Sequence, residues 1–328
     1  MKADRCKGMR DLLPQDMRRF RRVEQAFLDC TARWGYDEVR TPTLEYLHLF
    51  TATGTLTSGM LRRVYSFLDW DGWSGERVVL RPDGTIPIAR LYSENQKKLA
   101  SGISRLSYIG NTFTFEESGK ERRERWQCGV ELIGASQPSA DVELVLLASD
   151  VLKGLGFTTI EAKLSHAGLI KAVIGELGLG ADEQTHILDQ VLEGNIKALG
   201  EVKTRDANLK RAISLLLDVR GDSPGFLENF RALLGKSLPK FEPSLRDLTA
   251  IAQLLDKNGC PYHIDIASGR GFEYYTGVMF QFYAGKKWIG GGGRYDDLIS
   301  LIGGPDVPAS GFALYVDKLV DLLKEDSK

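Results

Sequence analysis

The sequence predicts an α+β fold, an antiparallel sheet flanked by helices and interrupted by a helical insertion, and three observations predict it. Short apolar runs separated by Gly, Pro and Asn cluster between residues 77 and 135 in meander-like order, which favours antiparallel pairing. From Ala167 to about Gly259 the apolar residues recur at helical spacing with hardly a strand signal. After residue 262 the strand pattern returns. Residues 1–166 and 260–328 therefore read as one discontinuous domain, and residues 167–259 as an inserted helical subdomain.

Each element has a local reason. Pro14 opens a helix at its first position, Met17, Phe20, Val23 and Phe27 recur along one face, and Gly35 stops it. Tyr36 to Pro42 is short, holds Val39 and Thr41 and ends at a proline, as a strand leaving that helix would. The runs Val78 to Leu80, Leu106 to Ile109, Thr112 to Phe115 and Val130 to Ile133 read as strands of one sheet. Pro138 and Ser139 then precede an apolar helix from Val142 to Leu152, with Gly156 beyond it, and Thr158 to Leu164 reads as another strand. In the helical stretch the breaks fall at Gly200, Gly221, Pro224, Gly235 and Pro239. His263 to Ile266, Val278 to Tyr283 and Trp288-Ile289 are the returning strands, and a helix around Asp317 to Leu323 follows.

Composition excludes several function classes. The 328 residues are 43% hydrophobic and 27% charged, the mix of a globular chain and not a disordered one. Lys and Arg number 43 against 44 Asp and Glu, so no global positive field draws nucleic acid, although a local basic patch stays open. Cys6, Cys30, Cys128 and Cys260 lie far apart without a CxxC pair, which argues against a metal site or a disulfide framework and for a reducing cytoplasm. The charged N-terminus has no secretory signal, and no apolar run approaches the roughly 18 residues that cross a bilayer, so a soluble protein without membrane contact is expected.

Four segments carry chemistry or its structural imitation. Leu80-Arg81-Pro82-Asp83-Gly84-Thr85 is either an ordinary turn or a site offering a carboxylate and a hydroxyl. Gly119 to Arg125 interleaves Lys120, Arg122, Arg123 and Arg125 with Glu121 and Glu124, as a solvated hairpin tip or as a loop that meets phosphate or carboxylate. In Arg270 to Gly277, Tyr274 and Tyr275 are either core rings or ligand-reading phenols. The glycines of Gly290 to Asp296 allow close approach of a ligand or of a neighbouring strand, and they form neither a P-loop nor a dinucleotide fingerprint.

Together and in this order the segments resemble the catalytic core of histidyl-tRNA synthetase, a class II aminoacyl-tRNA synthetase. Gly35 to Pro42 resembles motif 1, which builds the dimer interface in that family, and Phe113 to Glu131 resembles motif 2 with its loop. Arg81 to Thr85 resembles the Arg-Pro-Glu-Gly-Thr turn, Arg270 to Gly277 and Gly290 to Asp296 resemble the two histidine-specific segments, and Pro308 to Leu319 resembles motif 3. The resemblance implies a class II synthetase-like fold and a histidine site: Asp83 and Thr85 toward the ammonium, Gln127 toward the carboxylate, Glu131 and Tyr275 on the imidazole nitrogens with Tyr274 beside them, and Arg270 near the carboxylate.

Three departures from that family matter. Thr114 stands where motif 2 carries an arginine on the α-phosphate, and Lys318 stands where motif 3 ends in the arginine that clamps ATP. Each lost cation costs adenylyl transfer several kcal/mol, on the order of what one preorganised charge contributes. Only about ten residues follow motif 3, so no anticodon-binding domain and no tRNA partner are expected. A pocket kept, ATP clamps lost and no anticodon domain resemble the regulatory subunits of ATP phosphoribosyltransferase. That resemblance implies a non-catalytic chain with no catalytic residues, metal or cofactor, forming a homodimer through the motif 1 region and a hetero-oligomer with a short catalytic subunit, and binding L-histidine as feedback inhibitor of histidine biosynthesis. The alternative is a catalytic fragment of a diverged synthetase, for which Arg270 and the basic loop speak.

Overall fold

The computed structural model describes residues 4–323 except 54–60, 71–74, 100–101, 119, 193, 203, 205, 219, 235–238 and 269–273. Its strands are β1 (Asp37–Glu38), β2 (Leu44–Tyr46), β3 (Ser66–Trp70), β4 (Gly75–Leu80), β5 (Ser104–Phe113), β6 (Glu124–Ile133), β7 (Ile160–His166), β8 (Arg220–Gly221), β9 (Tyr262–Asp265), β10 (Val278–Ala284), β11 (Lys287–Arg294) and β12 (Ala309–Tyr315). Its helices are α1 (Pro14–Arg33), α2 (Leu47–Thr51), α3 (Thr85–Asn95), α4 (Pro138–Gly154), α5 (Ala167–Glu176), α6 (Ala181–Leu192), α7 (Lys197–Glu201), α8 (Ala207–Asp218), α9 (Pro224–Leu234), α10 (Glu242–Lys257), α11 (Leu298–Leu301) and α12 (Val316–Leu322). None of the described helices is long and apolar enough to cross a membrane.

Residue contacts divide the chain into two compact units, the first comprising residues 1–135, 147–158 and 297–328 and the second 136–146 and 159–296. In the first unit the strand order is β1-β5-β6-β12, with β5, β6 and β12 antiparallel and β1 parallel to β5. Helix α1 buries Phe20, Val23 and Phe27, the expected face, and Phe20 meets Trp126 edge-on with 5.3 Å between ring centroids. The chain leaves α1 through Gly35 at φ +77°, a conformation that costs glycine nothing.

Two strand expectations need correction here. Val78 to Leu80 does not join the main sheet: β4 is the centre of a separate antiparallel sheet, order β2-β4-β3. Its partners were hidden from pattern reading, because β2 has only three residues and every residue of β3 is exposed, which removes the alternation that marks a half-buried strand. The expected runs Leu106 to Ile109 and Thr112 to Phe115 merge into one strand, β5, which ends at Phe113 and leaves Thr114 and Phe115 outside it, because Gly110 and Asn111 stay in register opposite Gln127 and Trp126.

In the second unit the order is β11-β10-β7-β9-β8, antiparallel throughout except for the parallel pair β7 and β9. The strands are thus mixed, with antiparallel pairs predominant. The glycine run Gly290 to Gly293 lies inside β11, so of its two readings the neighbouring strand is the one observed: a Cβ on Gly291 would sit 2.6 Å from the Phe280 carbonyl oxygen of β10. Between residues 167 and 259 the described elements are helices α5 to α10, one 3₁₀ turn at Pro239–Phe241 and the two-residue β8. They fall in the same compact unit as β7 and β9 to β11. We propose that this stretch is the helical insertion.

Candidate functional site

The turn after β4 is built around two buried charges. Arg81 donates from Nε to the Asn111 carbonyl (2.7 Å), from Nη1 to the Thr41 hydroxyl (2.8 Å) and the Thr41 and Pro42 carbonyls (3.1 and 3.2 Å), and from Nη2 to Asn111 Oδ1 (3.3 Å). With these partners its guanidinium ties β4 to β5 and to residues 41–42. Asp83, two residues on, starts α3: its Oδ2 accepts the Ile86 N–H at 3.0 Å. Burial pushes its carboxyl up to about 6, against the N–H groups of Ile86, Thr85 and Gly84 and the Arg81 charge. A cation beside it would restore the ionised form.

Strand register brings the next residues to the same place. Side chains of directly opposed antiparallel residues share a sheet face, and Tyr108 opposes Gly129, Gly110 opposes Gln127 and Leu106 opposes Glu131. Gln127 and Glu131 therefore flank Gly129 on the face that carries Tyr108. Gln127 Nε2 lies 3.5 Å from the Tyr108 hydroxyl, and Tyr108 also hydrogen-bonds the Thr85 side chain. Burial, then the charges of Glu131 and Asp83, push the Tyr108 phenol well above its usual range, so it stays protonated. Gly129 leaves the space this ring fills, since a Cβ there would lie 2.6 Å from the phenol oxygen.

Four predicted residues, Asp83, Thr85, Gln127 and Glu131, thus converge on one buried phenol that sequence reading missed. Glu131 is fully buried, at 0% exposure. The cluster offers two carboxylates, an amide and two hydroxyls, a donor and acceptor set suited to a small zwitterion.

Beyond Gln127 on the same sheet face stands Tyr315 of β12. Lys318, one turn into α12, rests its ammonium 4.7 Å from the Tyr315 ring centre, and burial with Arg125 nearby pushes it down to about 8. A half-buried ammonium, a point charge without a planar fork of donors, is a weak replacement for a guanidinium. Thr114 bonds through its backbone to the Arg123 carbonyl at 2.9 Å, and its hydroxyl brings no charge.

The basic loop is held by the chain itself. Arg122 reaches Asp317 Oδ1 at 3.2 Å and Asp321 Oδ2 at 2.6 Å on α12, and Arg10 reaches Asp321 Oδ1 at 3.2 Å. Arg123 donates to the Glu116 carbonyl and stacks over Phe115 at 4.6 Å. Asp317, pushed up by burial, accepts the Trp126 N–H at 2.6 Å. Arg122 thus meets carboxylates, as the second reading of this segment has it, and they belong to α12.

The second unit carries the remaining predicted residues. Tyr274 is buried, and its ring meets Tyr275 and Tyr295 edge-on at 5.0 and 5.7 Å between centroids. The Tyr275 carbonyl accepts from Lys171 Nζ at 2.9 Å. Arg270 lies outside the described residues.

Comparison with known proteins gives these geometries a family. The histidyl-tRNA synthetase family model matches residues 8–319. An ATP phosphoribosyltransferase regulatory subunit of Dehalococcoides mccartyi strain BAV1 is 54% identical over 319 residues, covering 97% of this chain and 77% of the relative. A histidine–tRNA ligase of Archaeoglobus fulgidus is 33% identical over 328 residues, covering 98% and 76%. A crystal structure described as an ATP phosphoribosyltransferase regulatory subunit/histidyl-tRNA synthetase from Bacillus halodurans superposes with a TM-score of 0.84 at 29% identity, over 98% of this chain and 83% of that one. The chain therefore belongs to the histidyl-tRNA synthetase family with its class II fold, and within it to the ATP phosphoribosyltransferase regulatory subunits.

Proposed function

We propose that this chain is a non-catalytic histidine sensor: it assembles with a short ATP phosphoribosyltransferase catalytic subunit, is required for that subunit's activity, and brings feedback inhibition by histidine to the first step of histidine biosynthesis. One observation carries the reading. Asp83, Gln127 and Glu131 lie buried around Tyr108, while the two positions that would clamp ATP carry no guanidinium, at Thr114 and Lys318. Asp83 and Thr85 take the histidine ammonium, Gln127 the carboxylate, Glu131 an imidazole nitrogen, and Tyr274, Tyr275 and Arg270 complete the set. The chain forms a homodimer through residues 35–42.

Regulation by such a site requires histidine to bind the inhibited assembly more tightly than the active one. Histidine-dependent exchange of labelled pyrophosphate into ATP separates this reading from a working synthetase core. The expected result is histidine binding without exchange; exchange at a rate near that of a full-length synthetase control would overturn it.

A further inference from the structure

The second unit holds a buried ion cluster to which histidine binding, as proposed, assigns no role. Asp141, in the first turn of α4, is 1% exposed, and its Oδ2 accepts from Arg294 Nε at 3.1 Å and Nη2 at 2.9 Å. Arg294 Nη1 donates to Asp296 Oδ1 at 3.1 Å. Burial works against the Arg294 charge, but Asp141 and Asp296 outweigh it and hold the guanidinium above its usual range. Buried pairs of this kind are poor sources of stability, because desolvation offsets much of the attraction. What the cluster holds is therefore more informative than how strongly it is held.

It holds the segment from Tyr274 to Gly277. The Arg294 carbonyl accepts the Thr276 N–H at 2.8 Å, and the Thr276 hydroxyl accepts the Asp296 N–H at 3.0 Å. The Arg294 stem fills the space over Gly277, where a Cβ would lie 3.0 to 3.2 Å from its Cβ, Cγ and Cδ. The Tyr275 ring lies over Gly293, where a Cβ would sit 3.0 Å from Cδ1. Of the carboxylates of Asp141 and Asp296, the first side chain is 1% exposed and the second 40% exposed. Burial pushes the Asp141 carboxyl up to about 7 even beside Arg294, so the geometry of the pair carries the argument: replacing this acceptor by an amide would let the arginine drift toward the wetter partner and carry its backbone contacts with it.

We propose that Asp141, acting through Arg294 and Thr276, is a positioning residue that presets Tyr274 and Tyr275 for an imidazole ring and so sets both histidine affinity and discrimination against ring-substituted analogues. The inference rests on the histidine reading above. A phenol discriminates between ring nitrogens only while it is held to a fraction of an ångström.

Calorimetric titration of L-histidine and of its two ring-N-methylated analogues tests this on the wild-type chain, Asp141→Asn and Thr276→Val, with the thermal midpoint of each recorded. Thr276→Val removes the hydroxyl link without leaving a buried charge unpaired, and it keeps the test decisive if Asp141→Asn does not fold. The expected result is histidine affinity lower by about tenfold in each folded variant, the order of one hydrogen bond lost to a charged ligand, with most of the preference over the methylated analogues gone. Loss of stability alone would leave that preference unchanged, and an unchanged preference overturns the inference. Absence of histidine binding in the wild type would instead defeat the histidine reading, and this inference with it.

Discussion

Asp83 sets ligand charge against the cost of its own burial. Its pKa lies at about 6 in the folded chain against 3.8 for an unperturbed carboxyl, so the folded state favours the protonated form. Above pH 6 the buried carboxylate costs the empty protein about 3 kcal/mol, a cost that disappears as pH falls below 4. A histidine ammonium bound there, as proposed, would offset it. Asp83→Asn is therefore expected to raise the thermal midpoint of the ligand-free chain at pH 7.5 while weakening histidine binding. Wild-type affinity should fall as pH drops through about 6 more steeply than in Asp83→Asn, a comparison that cancels the ligand's own imidazole titration. Equal slopes by calorimetry would remove Asp83 from the ammonium site. Glu131→Ala should weaken binding by about 1–3 kcal/mol, because an imidazole N–H loses its acceptor in a buried site. Asp83, Gln127 and Glu131 were legible because they sit in contiguous segments of recognisable order. Tyr108 was not: it enters the site only through the pairing that sets it opposite Gly129, and pairing across strands leaves no local trace in a sequence.

At the scale of elements, the loop between β5 and β6 is fastened to α12 by Arg122, which contacts Asp317 and Asp321. Changing Arg122 and Arg123 to alanine together should leave histidine affinity within about twofold, since neither contacts the Tyr108 cluster, yet lower stability by about 1–2 kcal/mol through Asp317, which keeps a buried carboxylate with one partner fewer. A large affinity loss with an unchanged thermal midpoint would show that the loop belongs to the site. Helices α1, α4 and α12 were legible from apolar period and end signals, because a stripe of buried residues leaves a regular spacing. Glycine-bearing strands were harder. Gly110 split β5 into two predicted pieces, and Gly290 to Gly293 masked most of β11, because glycine carries no side chain with which to report a buried face.

For the molecule as a whole, the kept pocket and the altered ATP positions predict two separable behaviours, binding of histidine without its activation and control of a partner's chemistry. The family was legible from the order of its segments, and the solved relatives share that fold. The two compact units, whose boundaries fall at residues 135–136, 146–147, 158–159 and 296–297, were not legible, because contacts between distant segments leave no local trace in a sequence. The most direct measurement is reconstitution: ATP and phosphoribosyl pyrophosphate consumption by a short catalytic subunit, alone and with this chain, with and without L-histidine, repeated with Glu131→Ala. The account predicts activity only when this chain is present, inhibition by histidine, and in Glu131→Ala an inhibition that needs about 5- to 150-fold more histidine, the fold-change of the 1–3 kcal/mol lost in binding. Equal activity with and without this chain, or unchanged histidine inhibition in Glu131→Ala, would contradict it.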